Sequence, residues 1–256
     1  MKVDQLIHLP PNAAKYISLQ RLETQALGKS IHYNKLGYLA YKIYCGIPFA
    51  KHIYRHYSTH VEPLFRSKAI IEKYTEIMVR EFETIRNYLG PTVSTVLSIG
   101  PGVGGLEVML TRHLISMGQS PPHLILCDKS GIEPIHFGYT ERAAAYNSLE
   151  LSKQALVDNG QPVEKIETIE ASLSRKLLDS YTGKVDIVIS LLAWGFHFPV
   201  QTYLELAKRL LKPTGRIILD TRKETPGFDE MVSNFECVKV IHDDPKFERL
   251  LATKPS

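Results

Sequence analysis

The stretch Thr95–Glu107, TVLSIGPGVGGLE, runs from an apolar segment through a cluster of glycines into a helical pattern. Val96, Leu97 and Ile99 read as a strand, and Leu106 to Ile115 as a helix. Between them Gly100, Pro101, Gly102, Gly104 and Gly105 make a tight turn. Glycine in such a turn reaches positive φ and lets a ligand approach the backbone closely. The free N–H groups of a helix start favour polar or anionic ligand groups. A purely structural turn is the other reading of the same glycines.

The next segment extends the pattern. A loop over Gly118 to Pro122 leads to a second apolar strand, Leu124 to Cys127, which ends in Asp128. An acid at the end of the second strand is placed to hold ribose hydroxyls. A carboxylate suits that task because it accepts two hydrogen bonds from a vicinal diol. A helix cap or a surface position is the alternative for Asp128. Asp128 comes 28 positions after Gly100, and the extra length sits in the loop Gly118-Gln119-Ser120-Pro121-Pro122. Further strands are predicted over 164–169, 185–190, 215–220, 235–241 and 247–253, with the first two over 94–99 and 123–127. The last two strands are joined by a short turn at Asp243-Asp244-Pro245, a hairpin signal. The first 90 residues instead show helical spacing, over 12–28, 35–45, 49–57 and 61–89, the last broken early by Pro63. Alternating strand and helix predicts an α/β fold with a parallel sheet. The expected division is a helical N-terminal cap or lid over 1–90 and a sheet domain over 91–256.

From about Val93 onward the chain resembles the class I S-adenosylmethionine-dependent methyltransferases. The residues Gly100-Pro101-Gly102-Val103-Gly104 resemble that family's first glycine motif, with Ser98 standing where the pattern has an acid. Asp128 matches the ribose-binding acid, and Glu170-Ala171-Ser172 matches the segment near the adenine. Lys184 to Ser190 matches the fourth strand. Leu210-Leu211-Lys212-Pro213-Thr214-Gly215-Arg216-Ile217-Ile218-Leu219 resembles the family's turn into the fifth strand. The resemblance implies a seven-stranded, mostly parallel Rossmann-like sheet with a C-terminal antiparallel hairpin. It implies S-adenosyl-L-methionine as cofactor, with Gly100, Pro101, Gly102, Gly104, Asp128, Lys129, Ala171, Ser172 and Leu191 at its site.

Composition narrows the class. An apolar fraction of 44% and a charged fraction of 23% are those of an ordinary globular chain. No apolar run approaches the ~20 residues that span a bilayer, and the N-terminus lacks the apolar core of a secretory signal. Cys45, Cys127 and Cys237 are too few and too scattered for a disulfide framework or a zinc site. A cytoplasmic setting without a membrane is therefore expected. Residues 1–90 hold thirteen Lys and Arg against seven Asp and Glu, a net +6, whereas the rest of the chain is net −2. That imbalance points to an anionic acceptor, or to a solvated helical surface.

Several residues are candidates for acceptor chemistry. After the fourth strand come Trp194, Phe196, His197 and Phe198. His197 is the candidate general base, since an unperturbed histidine has its pKa near neutrality. Trp194 and Phe196 are candidate walls for a substrate, with core packing as their alternative. His136, beyond Asp128, is a second candidate base and substrate contact. Nine of the thirteen tyrosines fall before residue 90, and Tyr33 and Tyr38 are taken as substrate contacts. His52, His56 and His60 recur every four residues. A polar helix face explains them better than zinc, because three successive turns rarely complete a tetrahedral site. The expected activity is O-methylation of a small molecule, a sugar or natural product. An RNA methyltransferase gripping with the basic N-terminal part, and a non-catalytic binding protein, are the alternatives. A net +6 over 90 residues is modest for a nucleic-acid partner.

Overall fold

In a computed structural model of the chain, the described residues are 6–10, 12–21, 24, 56–132, 146–173 and 177–254. Seven strands form one sheet: β1 Thr95–Ile99, β2 His123–Asp128, β3 Ile166–Glu170, β4 Val185–Ser190, β5 Leu211–Arg222, β6 Cys237–Asp243 and β7 Phe247–Thr253. Their spatial order is β3-β2-β1-β4-β5-β7-β6. The first five strands are parallel. Val96 of β1 lies opposite Leu124 of β2 and Ile187 of β4. Leu124 in turn faces Ile166 of β3, and Val188 faces Ile217 of β5. β7 runs antiparallel to both β5 and β6, with Leu250 opposite Leu219 and Val240. The hairpin turn closes where the Asp244 N–H donates to the Phe247 carbonyl, and the Asp244 carboxylate accepts the Lys246 N–H. This is the mostly parallel sheet with a C-terminal hairpin that the sequence predicts.

The burial of the strands explains their composition. β1 and β2 are covered on both faces, so they read as continuous apolar runs rather than alternating ones. Leu97, Ile99, Ile125 and Cys127 belong to a core shared with Leu204, Leu210 and Trp194. β5 is longer than the predicted 215–220, because Arg216 to Arg222 all pair with β7. The helices of the sheet unit are Gly105–Ser116, Leu149–Asp158, Leu204–Leu210 and Gly227–Asn234.

The chain divides into two compact units, 1–79 and 80–256. The expected boundary at 90 and 91 lies further along, because residues 80–90 belong to the sheet unit. There Arg216 Nη1 donates to the Tyr88 carbonyl at 3.0 Å, and Arg249 pairs with Glu81. Within the first unit, α1 Ala13–Gln20 buries Ala13, Ala14, Ile17 and Leu19. α1 stops short of the predicted residue 28, at the extended Arg21. The long helix α2, Glu62–Glu83, follows a π-helical turn, Tyr57–Val61. Pro63 lies just after that π-helical turn, as the second residue of α2. In chain order, α3 to α6 are the four sheet-unit helices given above. The predicted helix over 35–45 lies outside the described residues. Among the described residues, no helix is long and apolar enough to cross a membrane.

Candidate functional site

The end of β1 turns on three glycines with positive φ: Gly100 at +73°, Gly102 at +58° and Gly104 at +83°. Two of them are fixed by protein neighbours. A Cβ on Gly100 would stand 2.4 Å from Ala193 Cβ, and one on Gly104 would stand 3.1 Å from the Ser152 carbonyl oxygen. The requirement for glycine there comes from packing as much as from any ligand. Gly102 is held at both ends of its peptide units. Its N–H donates to the Asp128 carboxylate, and its carbonyl accepts from Ser152 Oγ at 2.6 Å. Gly104 is the N-cap of α3 in left-handed conformation, and Val103 and Pro101 are buried beside it.

Asp128 closes β2 next to that turn. Its Oδ1 accepts the Lys129 N–H at 2.8 Å and its Oδ2 accepts Asn147 Nδ2 at 2.8 Å. Burial pushes its carboxyl up to about 6, and the facing Glu170 charge adds to the rise. The hydrogen bonds from Asn147, Lys129 and Gly102 oppose that rise by favouring the anion. Asn147 reaches Asp128 because a short ladder pairs Gly131 with Asn147 and returns the chain to the strand end. Ser148 then caps α4, accepting the Leu151 N–H. The role of Asn147 has no local sequence signal, since it depends on that excursion.

A second buried acid was also hidden from pattern reading. Ser98, where the resemblance has an acid, donates its hydroxyl to Glu107 Oε1 at 2.5 Å. Glu107 is 1% exposed, and its other oxygen, Oε2, has no hydrogen-bond partner among the described residues. Burial pushes this carboxyl up to about 7; the hydrogen bonds from Ser98 and from its own backbone N–H oppose the rise and the Asp128 charge adds to it. The signal available in the sequence was a glutamate at the third helical position, which reads as an ordinary capping residue.

β4 completes the edge. Ser190 Oγ donates to the Ile99 carbonyl at 2.7 Å, binding the ends of β1 and β4 together, and accepts the Trp194 N–H at 3.0 Å. Leu191 follows, half-buried, and then Leu192 at φ +54°, whose N–H donates to Asp220 Oδ2 at 3.0 Å. At the end of β3, Ala171 packs on the core and Ser172 is exposed, within a single 3-10 turn, Ala171–Leu173. Thus Gly100, Pro101, Gly102, Gly104, Asp128, Lys129, Ala171, Ser172 and Leu191 all lie at the carboxyl ends of parallel strands, where open α/β sheets bind ligands.

The aromatic segment divides. Trp194 is a core residue, which corrects its reading as a substrate wall. Its side chain is fully buried, its indole N–H donates to the Val200 carbonyl at 2.7 Å, and its ring meets Tyr203 edge-on. Phe196 is half-buried between Phe247 and the Arg222 guanidinium. His197 is exposed at the far part of the extended segment Ala193–Phe198, edge-to-face with Phe196. Three residues separate it from Ala193, so along an extended chain it lies up to ~13 Å from Ala193. His136, Tyr33, Tyr38 and His52 lie outside the described residues. The His56 and His60 rings meet at 4.8 Å, and among the described residues no group of three His, Cys, Asp or Glu side chains is arranged to hold a metal.

No protein-family model matches the chain, and no curated protein matches it. Solved structures do. A candidate O-methyltransferase from Nostoc punctiforme is 16% identical at a TM-score of 0.49, over 74% of this chain and 59% of that one. The O-methyltransferase NovP is 12% identical at 0.48, over 70% and 79%. A Thermus thermophilus 16S rRNA N2 G1207 methyltransferase is 16% identical at 0.42, over 68% and 38%. The chain thus spans less than two thirds of the Nostoc protein. The strand order, the glycine turn and the C-terminal hairpin carry the conclusion on their own. The sheet unit is a seven-stranded, mostly parallel α/β sheet with a C-terminal antiparallel hairpin, the architecture that the resemblance to class I methyltransferases implies.

Proposed function

We propose that this chain is an S-adenosylmethionine-dependent methyltransferase acting on a hydroxyl group of a small molecule. The observation that carries the reading is the junction of the glycine turn with Asp128, where the Gly102 N–H donates to the carboxylate at the end of the neighbouring strand. Three positive-φ glycines, a carboxylate at the end of β2 and a buried unpartnered carboxyl oxygen suit a polar nucleoside carrying cationic groups. When bound, that cofactor supplies an electrophilic methyl group on a sulfonium centre.

The chain's own residues then have separate tasks. Asp128 accepts the ribose hydroxyls, held in place by Asn147 and the Lys129 N–H. The turn over Gly100, Pro101, Gly102 and Gly104 would hold the amino-acid end. Lys129, Ala171 and Ser172 flank the base, and Leu191 closes the edge after β4. His197, exposed beyond that edge, takes the proton from the acceptor oxygen as the methyl group is transferred. Phe196 beside it offers an apolar surface for the acceptor.

Incubation with methyl-labelled cofactor and a panel of small hydroxyl compounds tests the reading. The expected result is label in a methyl ether, with turnover cut about 10²–10⁴-fold by His197→Ala and affinity for the demethylated product retained. A His197→Ala rate within threefold of wild type excludes the base. Label recovered in RNA, with none in small molecules, overturns the acceptor assignment.

A further inference from the structure

The least explained group in the sheet unit is the Glu107 carboxyl. It sits in the first turn of α3, buried to 1%, with Oε1 bonded to Ser98 and Oε2 bonded to nothing among the described residues. Leaving a charged oxygen without a partner in the interior is costly, and natural folds rarely keep one without a use. The carboxyl accepts its own first-turn N–H, but a capping box does not account for its position. In a capping box the glutamate accepts the N–H of the N-cap residue. Here the N-cap Gly104 gives its N–H to the Pro101 carbonyl and has no side chain to return a bond. Nor does an internal ion pair account for it. Its nearest charged influence is Asp128, another acid, which faces a third acid, Glu170, across β2 and β3.

These three carboxyl groups give the carboxyl edge of β1, β2 and β3 a negative character. That environment disfavours an anionic ligand group and favours a cationic one. Asp128 has both oxygens engaged by Lys129 and Asn147, whereas Glu107 keeps one oxygen unbonded. We propose that Glu107 Oε2 is the anionic partner of the ammonium group at the cofactor's amino-acid end, the charge being delivered from helix α3 because β1 offers only Ser98 at this place. The proposal rests on the cofactor reading above. Ser98 has a definite part in it. Its hydroxyl holds Oε1, which fixes the carboxyl plane, while Oε2 has no partner among the described residues. An aspartate at position 98 would bring a carboxyl group from the strand to nearly the same spot, since Ser98 Oγ already lies 2.5 Å from the Glu107 oxygen.

Titration calorimetry on the full chain tests this, using S-adenosylhomocysteine and, in parallel, adenosine, which lacks the amino-acid end. Glu107→Gln should weaken S-adenosylhomocysteine about ten- to hundredfold, the scale of a lost charge-assisted hydrogen bond, and leave adenosine unchanged. Adding Ser98→Asp to Glu107→Gln should restore at least tenfold of the loss. Should Glu107→Gln fail to fold, the exchanged pair Ser98→Asp with Glu107→Ser takes its place, and it should bind S-adenosylhomocysteine within about tenfold of wild type. Unchanged S-adenosylhomocysteine affinity in Glu107→Gln, equal losses for both ligands, or no recovery with an acid at position 98 overturns the role of Glu107 while the cofactor reading stands. Wild-type protein that binds neither ligand overturns the cofactor reading, and this assignment with it.

Discussion

Glu107 is one residue whose burial has a measurable cost in the unliganded protein. Its carboxyl is pushed up to about 7 from an ordinary value of 4.5, with burial the largest cause. A carboxyl raised in the folded state contributes most to stability below its unfolded value, and that contribution is lost as pH rises to the folded value. Glutamine at this position does not titrate. The stability of Glu107→Gln relative to wild type should therefore rise between pH 5 and pH 8, by at most about 3 kcal/mol. Urea unfolding of unliganded protein at several pH values measures it, and a flat difference across this range contradicts the buried state of the acid. Asp128 is raised in the same direction and is present in both proteins, so it cancels except for its coupling to Glu107. The two acids were not equally legible. Asp128 is announced by an apolar run that stops at an acid, a pattern contained in one short segment. Glu107 acquires its meaning only from Ser98 on a different element, nine residues earlier. Trp194 shows the same limit: a tryptophan after a strand reads equally as wall or core, and only the Val200 carbonyl decides.

At the level of elements, the loop after β4 depends on an ion pair that joins three parts of the sheet unit. Arg249 on β7 is fully buried. Its Nε and Nη2 donate to Asp220 on β5 at 2.7 and 2.8 Å, Nη2 also reaches Glu81 Oε2 at 2.7 Å, and Nη1 bonds Thr84 Oγ1. Asp220 in turn accepts the N–H of Leu192, the positive-φ residue that turns the chain after Ser190. Removing the guanidinium would leave the fully buried Asp220 carboxylate without its cation. Arg249→Met should thus destabilise the protein by about 3–5 kcal/mol, much more than an exposed pair would. Denaturant unfolding measures it, and a loss under about 1 kcal/mol would show that the network is dispensable. The strands themselves were readable to within a few residues, because parallel strands covered on both faces are unbroken apolar runs. β7 was readable as a strand but not as the site of a buried cation: an arginine in an alternating segment reads as outward-facing, and what turns it inward is Asp220, 29 positions away.

For the molecule as a whole, sequence patterning sets a helical beginning apart from an alternating remainder, and the chain divides into two compact units with a boundary inside α2. Residues 80–90 kept a helical pattern in the sequence yet serve the sheet unit, through Glu81, Thr84 and Tyr88. Periodicity reports which face is apolar and not which partner will cover it, so a boundary within one continuous helix leaves no trace in the pattern. Each described residue assigned to the cofactor falls in the second unit, at the carboxyl ends of β1, β2, β3 and β4. The central claim is that this edge binds S-adenosylmethionine, with Asp128 on the ribose. Titration calorimetry of S-adenosylhomocysteine into the wild-type chain and into Asp128→Ala tests it most directly. The account predicts one site per chain in the wild type and a loss of about 1.5–3 kcal/mol in the variant, the scale of hydrogen bonds to a charged group. No binding by the folded wild type, or equal affinity in Asp128→Ala, would contradict it.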